Sequence, residues 1–368
     1  SAFEHSKIEE IIIPETVKEI GEEAFYYSNL KKLTLHDKGL TIGEYAFANS
    51  KLEELHLPAN IVLEYDSSNW TGYNFYNSSL KKLYIEEGVN AVGGAAFASC
   101  HQLEEVYFPS TIEAVGRAVF SGCENLKIAK LPDSITSIGI NAFSGCGKCE
   151  DFINLKLPAN LKSLGSGAFS GTGVESIYIP KTLTNLEASW GFFEGNYRFT
   201  SLKFKEYIVD SQNPEYSSID GVLYNKEQTQ VIDYPLYKED ESYTFPSSVS
   251  IMSTMGEKND IAYNKFLKTI IFPDDTAFTN ITELNDTIER ENHNQSIETI
   301  ILPRKNIPIS TWAFSYLDNL KVLYIPSEIT EFKGSILLNC PNAVIYCQAG
   351  STAETYAKNN NYKYKIVN

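Results

Sequence analysis

Three cysteines occur at one position of three consecutive segments of the sequence. Cys100, Cys123 and Cys146 are spaced 23 residues apart, which could bring three thiols together in a disulfide or a metal site. The alternative is a ladder of buried thiols that pack as small hydrophobic groups. If successive segments stack as parallel strands, equivalent Cβ atoms lie about 4.8 Å apart, beyond the roughly 3.5–4.5 Å of a disulfide. We therefore expect these thiols to be free and buried.

Other cysteine pairs could form local bonds. Cys146 and Cys149 make a C-x-x-C motif, which indicates redox chemistry when it stands in a thioredoxin-like βαβ unit. No βαβ pattern surrounds the motif, so a local disulfide and two free thiols remain as alternatives. Cys340 and Cys347 flank a predicted strand near the end of the chain, where a bond between them would stabilise the fold and take no part in a reaction.

The other residue types that carry chemistry form no recognisable centre. No histidine pair has the spacing of a zinc helix, and neither a G-x-S-x-G motif nor a phosphate-binding loop is present. Glu53, Glu104 and Glu298 stand at equivalent outward positions, which indicates a solvated face rather than two carboxylates that converge in a cleft. We predict no metal, no cofactor and no enzymatic activity. The five histidines are His5, His36, His56, His101 and His293.

The charge and hydropathy of the chain limit its partners. Its 368 residues include 47 acidic and 31 basic side chains, a net charge of −16, and no lysine- or arginine-rich run offsets this field. A polyanion such as nucleic acid would therefore be repelled. No apolar run approaches the roughly 18 residues that span a bilayer, so we predict no membrane insertion by this segment.

A six-residue pattern, Ile-Gly-x-x-Ala-Phe or a close variant, returns about every 22 to 26 residues. Such a period is typical of solenoids in which each repeat is one coil. We expect the phenylalanine to fill the coil interior and the small residue before it to let coils approach. We expect the glycine to mark a turn with unusual backbone angles. The pattern ends at Phe25, Phe47, Phe97, Phe120, Phe143 and Phe169, with degenerate copies at Phe75, Phe193 and Phe314.

A second pattern, a short alternating segment that ends in proline, accompanies the first. In residues 103–109 we expect Val106 and Phe108 to point inward, and Glu105 and Tyr107 outward, because successive strand side chains face opposite sides. Proline cannot donate to the strand ladder, so it ends each strand. We predict that the strands of successive coils stack in parallel. The pattern recurs in residues 126–132, 174–180, 267–273, 297–303 and 320–326.

Together these patterns resemble one known family. Ile-x-Ile-Pro, Ile-Gly-x-x-Ala-Phe and a following small residue and cysteine are similar to the BspA-like leucine-rich repeats of bacterial surface proteins, from Ser1 to about Arg198 and from Leu267 to Asn368. The resemblance implies a leucine-rich-repeat solenoid, a right-handed superhelix that is mainly β with short helical or 3-10 segments and one parallel sheet. It also implies that residues 347–368 cap the final coil with a short helix.

The middle of the chain departs from the repeat, and Asp220-Gly221 predicts a tight hairpin turn there. We divide the sequence into N-terminal repeats (1–204), an irregular insertion (205–264) and C-terminal repeats (265–368). An insertion that keeps the solenoid continuous is our interpretation, and a break into two subdomains is the alternative. Further polar insertions cover residues 60–73 and 274–295. Because residues 2–14 match residues 46–58, the chain starts inside a repeat, and we expect the natural protein to continue upstream.

The outward positions of the stacked strands are the predicted ligand-binding surface. Exposed tyrosine is enriched at interfaces, where its ring supplies contact area and its hydroxyl a polar group. The alternative is that these side chains only pack across strands and stabilise the sheet. Trp70 and Trp190 in the insertions are the next candidates. The column in register with Tyr107 is Ile12, Thr34, His56, Tyr84, Lys130, Lys156, Tyr178, Lys203, Ile271, Ile301 and Tyr324; of these, Tyr84, Tyr107, Lys130, Lys156, Tyr178 and Tyr324 are the expected ligand-binding residues.

The resemblance implies a cell-surface or secreted bacterial protein that adheres to extracellular host proteins or to another surface component. A glycan-binding module of a surface system is the second hypothesis, in which aromatic side chains such as Trp70, Tyr84 and Tyr107 would stack on sugar rings. A hydrolase is the third, and an activity screen with carboxylate substitutions would detect it.

Overall fold

The chain forms two compact units, Ser1–Lys203 and Phe204–Asn368. The computed structural model describes residues 2–63, 72–186, 203–252, 261, 264–282 and 296–368. Each unit is a β-solenoid of stacked parallel strands with little helix, which confirms the predicted fold class. The division into residues 1–204, 205–264 and 265–368 stays a prediction. Trp70, Trp190 and Phe193 lie outside the described residues.

In the N-terminal unit, each coil contributes to two columns of parallel strands. The first column contains β1, β3, β5, β7, β9, β12 and β14, and the second contains the strands between them. The second column adds to the one that the sequence predicted. In chain order the strands are β1 (Glu10–Ile12), β2 (Glu19–Ile20), β3 (Lys32–Thr34), β4 (Leu40–Ile42), β5 (Glu54–Leu57), β6 (Ile61–Leu63), β7 (Lys82–Ile85), β8 (Ala91–Val92), β9 (Glu105–Tyr107), β10 (Ala114–Val115), β11 (Ser137–Ile138), β12 (Asn154–Lys156), β13 (Ser163–Leu164), β14 (Ser176–Ile179) and β15 (Asn185–Leu186), and a 3-10 turn covers Glu150–Phe152.

The alternation of the first-column strands follows the prediction. In β5, Leu55 and Leu57 are buried, whereas Glu54 and His56 are exposed. In the next coils Val106 is buried and the half-buried Phe108 turns its ring edge toward Phe120, with 5.9 Å between ring centroids. A side-chain period of two therefore separates the interior of the coil from its outer face.

The phenylalanines fill the coil interior, as predicted. From Phe3 to Phe169 they form one stack in which successive ring centroids lie 4.9 to 5.8 Å apart. Phe97, Phe120 and Phe143 are fully buried, and so is Phe314 in the C-terminal unit. The stack gives each coil an apolar centre that a single coil could not bury alone.

The prediction that the repeated glycine adopts unusual backbone angles is wrong. Gly116, Gly139 and Gly165 lack a positive φ, whereas the residues two before and two after each phenylalanine have one, such as Ala95 (φ 55°) and Ser99 (φ 56°). The glycine is required for a different reason: a Cβ on Gly139 would lie 2.6 Å from the Arg117 nitrogen of the preceding coil. Close approach of neighbouring backbones excludes a side chain at Gly116, Gly139 and Gly165.

Because of these positive φ angles, the turn around each phenylalanine can form backbone hydrogen bonds with the next coil. We term this turn, from the glycine to two residues after the phenylalanine, the phenylalanine corner. The amides of Ala95, Phe97 and Ser99 donate to carbonyls of Arg117, Val119 and Ser121, at 2.8, 3.0 and 2.7 Å. The corner thus satisfies its backbone groups across coils, as a strand does.

The C-terminal unit has a hairpin and a six-stranded sheet around one core. Asp220 (φ 47°) and Gly221 (φ 78°) form the predicted tight turn between β17 and β18. Strands β20, β22, β23, β25, β27 and β28 form the sheet. The strands are β16 (Glu206–Val209), β17 (Tyr216–Ile219), β18 (Val222–Asn225), β19 (Gln230–Asp233), β20 (Ser242–Thr244), β21 (Ile251–Met252), β22 (Thr269–Ile271), β23 (Thr299–Ile301), β24 (Phe314–Ser315), β25 (Val322–Tyr324), β26 (Leu337–Leu338), β27 (Val344–Cys347) and β28 (Tyr364–Ile366).

A helix, α1 (Thr352–Asn359), covers the end of this core, as the resemblance implied. The Ser351 hydroxyl accepts a hydrogen bond from the Glu354 amide (3.2 Å), and the Glu354 carboxylate accepts one from the Gly350 amide (2.7 Å). The first bond satisfies an amide that the first turn of a helix leaves unpaired, and the second holds the residue before the N-cap against that turn. Ala353 and Ala357 are buried in the core, and β28 then adds an edge strand that the sequence analysis did not predict.

Candidate functional site

The strongest candidate surface is a row of three rings on the first strand column of the N-terminal unit. His56 pairs with Tyr84 and Tyr84 with Tyr107 in the parallel register, as predicted. The His56 and Tyr84 rings stack with centroids 4.6 Å apart, and those of Tyr84 and Tyr107 with centroids 4.8 Å apart at an interplanar angle of 3°. We term His56, Tyr84 and Tyr107 the aromatic ladder. Strand spacing sets its repeat, so the rings form one continuous stack.

Charged groups surround the aromatic ladder. The His56 ring lies 3.3 Å from a Glu86 oxygen and 3.4 Å from a Glu54 oxygen. The Tyr107 hydroxyl donates to the Glu105 carboxylate, which also lies 3.2 Å from the Lys82 ammonium. The hydrogen bond raises the pKa of Tyr107 and lowers that of Glu105. The ladder is therefore an aromatic strip with fixed charged groups on its edges, an arrangement similar to the centre and rim of an interface.

Three other predicted site residues continue the column in the same unit. Lys130 is exposed. It lies two residues after Ile128, which forms a β-bridge with Glu105 of the preceding coil. Lys156 pairs with Tyr178, and its ammonium lies 6.0 Å from the centroid of that ring. The predicted register is confirmed for Lys156 and Tyr178, whereas the place of Lys130 beside Tyr107 stays a prediction that the Glu105–Ile128 bridge supports.

Lys203 was placed in this column by the sequence analysis, and that placement is wrong. It is exposed but lies outside the described strands, and the alternating segment that follows forms a strand only at Glu206–Val209. The strand begins three residues later than the spacing of the repeats suggested. Lys203 therefore does not belong to the column.

Tyr324 belongs to the C-terminal unit, where a separate column runs along the six-stranded sheet. Ile271, Ile301 and Tyr324 pair in register, and Tyr324 pairs in turn with Tyr346. Tyr346 was missed by the sequence analysis, although the alternating segment Val344–Cys347 could have revealed it. The Lys365 ammonium lies 5.4 Å from the Tyr346 ring centroid.

The equivalent glutamates form ion pairs between coils. Glu53 pairs with Lys81 at 3.0 Å, Glu104 with Lys127 at 2.8 Å and Glu298 with Lys321 at 2.9 Å. Because these side chains are exposed, each pair contributes about 0–1 kcal/mol. Within the described ranges, no group of three or more His, Cys, Asp or Glu side chains could hold a metal ion, and no helix is long and apolar enough to cross a membrane.

All six cysteines are free. The thiols of Cys100, Cys123 and Cys146 are buried and lie 3.2, 3.4 and 3.3 Å from phenylalanine carbonyls of the preceding coil. Cys340 occupies the same position in the C-terminal unit, 3.0 Å from the Phe314 carbonyl. Burial raises the pKa of Cys100 to about 11 and that of Cys149 to about 12. The thiols therefore act as small buried groups.

We expect iodoacetamide at pH 8 to leave Cys100, Cys123 and Cys146 unmodified in the folded protein. Alkylation requires an exposed thiolate, and burial disfavours that form. Mass spectrometry after a short reaction measures the result, with protein in guanidinium chloride as the control that should be alkylated at all six positions. A native mass two hydrogens below that of the reduced chain would contradict free thiols.

Comparison with known proteins identifies the repeat. The family described as the BspA type leucine rich repeat region matches in six copies over residues 1–69, 68–199 and 287–363. The chain belongs to this family. Its fold is similar to that of a leucine-rich repeat protein from Bacteroides ovatus, at 22% identity over 98% of this chain and 84% of the other, with a TM-score of 0.57.

Two further solved structures are similar to this BspA-type chain. A leucine-rich repeat protein from Eubacterium ventriosum is 18% identical over 84% of this chain and 80% of the other, with a TM-score of 0.50. A leucine rich cell surface protein from Faecalibacterium prausnitzii is 22% identical over 96% of this chain and 90% of the other, with a TM-score of 0.46. Among curated proteins, none matches the sequence.

Proposed function

We propose that this chain is a non-enzymatic binding protein, at the bacterial cell surface or secreted, that docks a partner protein on the aromatic ladder. The observation that carries the proposal is the stack of His56, Tyr84 and Tyr107 on an exposed sheet face. The family supports it, since leucine-rich-repeat proteins are typically binding scaffolds rather than enzymes. The resemblance to bacterial surface proteins supports the location.

The geometry of the aromatic ladder suits a protein partner. The stack holds its rings in one orientation before binding, so little side-chain entropy is lost when a partner docks. Tyrosine is among the residues that contribute most to interface energies, and Tyr107 is 41% exposed. The neighbouring charges of Glu54, Lys82 and Glu86 would set the register of a partner rather than its affinity.

A glycan is a less suitable ligand for the same surface. Stacking on a sugar needs an open ring face, but both faces of Tyr84 are covered, one by His56 and the other by Tyr107. Tyr84 therefore presents its ring edge and hydroxyl instead of an aromatic platform. A glycan array tests the alternative of a glycan-binding module.

We expect the double variant Tyr84→Ala/Tyr107→Ala to bind its protein partner at least about tenfold more weakly, a change that corresponds to 1.4 kcal/mol. The immobilised full chain is incubated with blood plasma and with solubilised extracellular matrix proteins. Captured proteins are identified by mass spectrometry, and their affinities are measured by surface plasmon resonance. A glycan array is probed in parallel with wild-type protein and the variant.

Tyr364→Ala is the matched control, because Tyr364 is similarly exposed (38%) but lies in β28 of the C-terminal unit. Its binding should equal that of the wild type. Unchanged capture by the double variant would mean that the rings only stabilise the sheet. A glycan-array signal that the double variant alone loses would favour the glycan alternative.

A further inference from the structure

A second group of aromatic side chains, partly exposed, lies on another side of the coils in the N-terminal unit. Tyr26, Tyr27, Tyr45, Tyr73 and Tyr76 all belong to the phenylalanine corners of successive coils, at Phe25, Phe47 and Phe75, and not to the first strand column. Tyr27 is 50% exposed and the other four are half-buried. We term these five residues the tyrosine patch.

The rings of the tyrosine patch contact one another across coils. Tyr26 meets Tyr27 edge to face with centroids 4.6 Å apart, and it meets Tyr45 in the same way at 6.5 Å. Tyr45 stacks on Tyr73 at 5.3 Å, and Tyr73 meets Tyr76 edge to face at 5.2 Å. The contacts join the five rings into one continuous surface that extends over three coils.

The fold does not require tyrosine at these positions. The residue two before the phenylalanine has a positive φ in every one of these corners, and it is Tyr45 (52°) or Tyr73 (42°) in the early coils but Ala95 (55°) or Ala118 (51°) in the later ones. Two residues after the phenylalanine, Tyr27 (52°) is replaced by Ser99 (56°). A bulky side chain with positive φ costs more than a small one. Binding is a reason to keep tyrosine where the later coils use alanine and serine.

The tyrosine patch lies among carboxylates. The corner segments 21–27, 43–49 and 72–77 contain Glu22, Glu23 and Glu44 but no lysine or arginine. Burial, Tyr27 and the carboxylates of Glu23 and Glu4 raise the pKa of Tyr26, and burial, Tyr73 and Glu44 raise that of Tyr45. The charged groups that act on Tyr26 and Tyr45 are therefore acidic, while the His5 ring stacks on Tyr27 with centroids 5.5 Å apart.

Aromatic rings next to carboxylates are best suited to bind cationic side chains. The negative face of a tyrosine ring attracts an arginine or lysine side chain, and a nearby carboxylate adds an ion pair. We propose that the tyrosine patch is a second docking surface, which binds a partner protein through arginine or lysine side chains. The patch covers three coils, an extent that suits several cationic side chains of a protein rather than one small cation.

The test uses a fluorescent twelve-residue peptide of alternating arginine and glycine, with a glutamate–glycine peptide of the same length. Binding to the full chain is measured by fluorescence anisotropy at 0.15 M salt. We expect the arginine peptide alone to bind, and the variant Tyr27→Ser/Tyr45→Ala/Tyr73→Ala to weaken it at least tenfold with no change in net charge. Each substitution places a residue that the later coils already hold at that φ, and an unchanged circular dichroism spectrum verifies the fold.

Two further variants locate the binding. Glu22→Gln/Glu23→Gln/Glu44→Gln should also weaken the arginine peptide, whereas Tyr84→Ala/Tyr107→Ala should leave it unchanged, which separates this surface from the aromatic ladder. Equal binding by wild-type protein and the tyrosine variant would overturn the proposal, because general acidity would then explain the binding. The proposal would also be overturned if the arginine peptide did not bind the wild-type protein. A glycan-array signal that is present with the wild type and lost only with the tyrosine variant would overturn it as well.

Discussion

Phe143→Ala is expected to lower the free energy of unfolding by about 3–5 kcal/mol. The Phe143 side chain is fully buried between the rings of Phe120 and Phe169, whose centroids lie 5.4 and 5.5 Å away, and the Phe152 ring meets it edge to face at 5.1 Å. Hydrogen bonds hold the backbones of adjacent coils at a fixed spacing, so the coils cannot close the cavity that removal of the ring leaves. Urea unfolding of the full chain, followed by circular dichroism, measures the loss, and hydrogen exchange locates it.

Phe3→Ala is the matched control for this substitution. Phe3 belongs to the same stack but is 42% exposed and contacts a single ring of the stack, that of Phe25, at 4.9 Å. We expect a loss of less than about 1.5 kcal/mol, the range of one aromatic pair. A loss below about 1 kcal/mol for Phe143→Ala would contradict a shared hydrophobic interior.

Gly165→Ala is expected to destabilise the chain by about 1–3 kcal/mol or more. The new Cβ would clash with the Ile140 nitrogen and would lie 2.5 Å from the Gly139 carbonyl carbon. Both are backbone atoms of the preceding coil, and the Gly165 amide donates to the Ile138 carbonyl at 2.8 Å. The clash can be relieved only if two coils separate and that hydrogen bond stretches. The midpoint of urea unfolding measures the effect.

Gly21→Ala distinguishes between the two explanations of the repeated glycine. Gly21 occupies the same place in the repeat, yet nothing lies within 4 Å of a Cβ built on it. Steric exclusion predicts a change within about 0.5 kcal/mol at Gly21, as at other open surface positions. Equal losses at Gly21 and Gly165 would indicate that backbone conformation, and not coil spacing, requires glycine.

The spacing of the repeats predicts most neighbours in the column of outward residues, but not all of them. The spacing of the repeats placed Tyr84 beside Tyr107, and Lys156 beside Tyr178, because a period of two and a fixed coil length determine parallel register. Lys203 lies outside the column, because the strand there begins later than the spacing of the repeats suggests. Tyr346, which pairs with Tyr324, is absent from the predicted column.

The contacts between the surface rings could not be predicted from the spacing of the repeats. That both faces of Tyr84 are covered depends on rotamers chosen among three neighbouring strands. The tyrosine patch joins Tyr26, Tyr45 and Tyr73 from different coils, and their contacts depend on the positive φ angles of the corner. Aligned repeats show where these residues recur but not which rings meet.

The repeat, the inward phenylalanines and the outward tyrosines follow from the sequence, because each depends on periodicity within a short stretch of chain. Only the tertiary structure shows that Gly139 is needed for the approach of Arg117, and that Tyr107 donates to Glu105. Those properties depend on distances between coils, which stacking sets and no single repeat encodes.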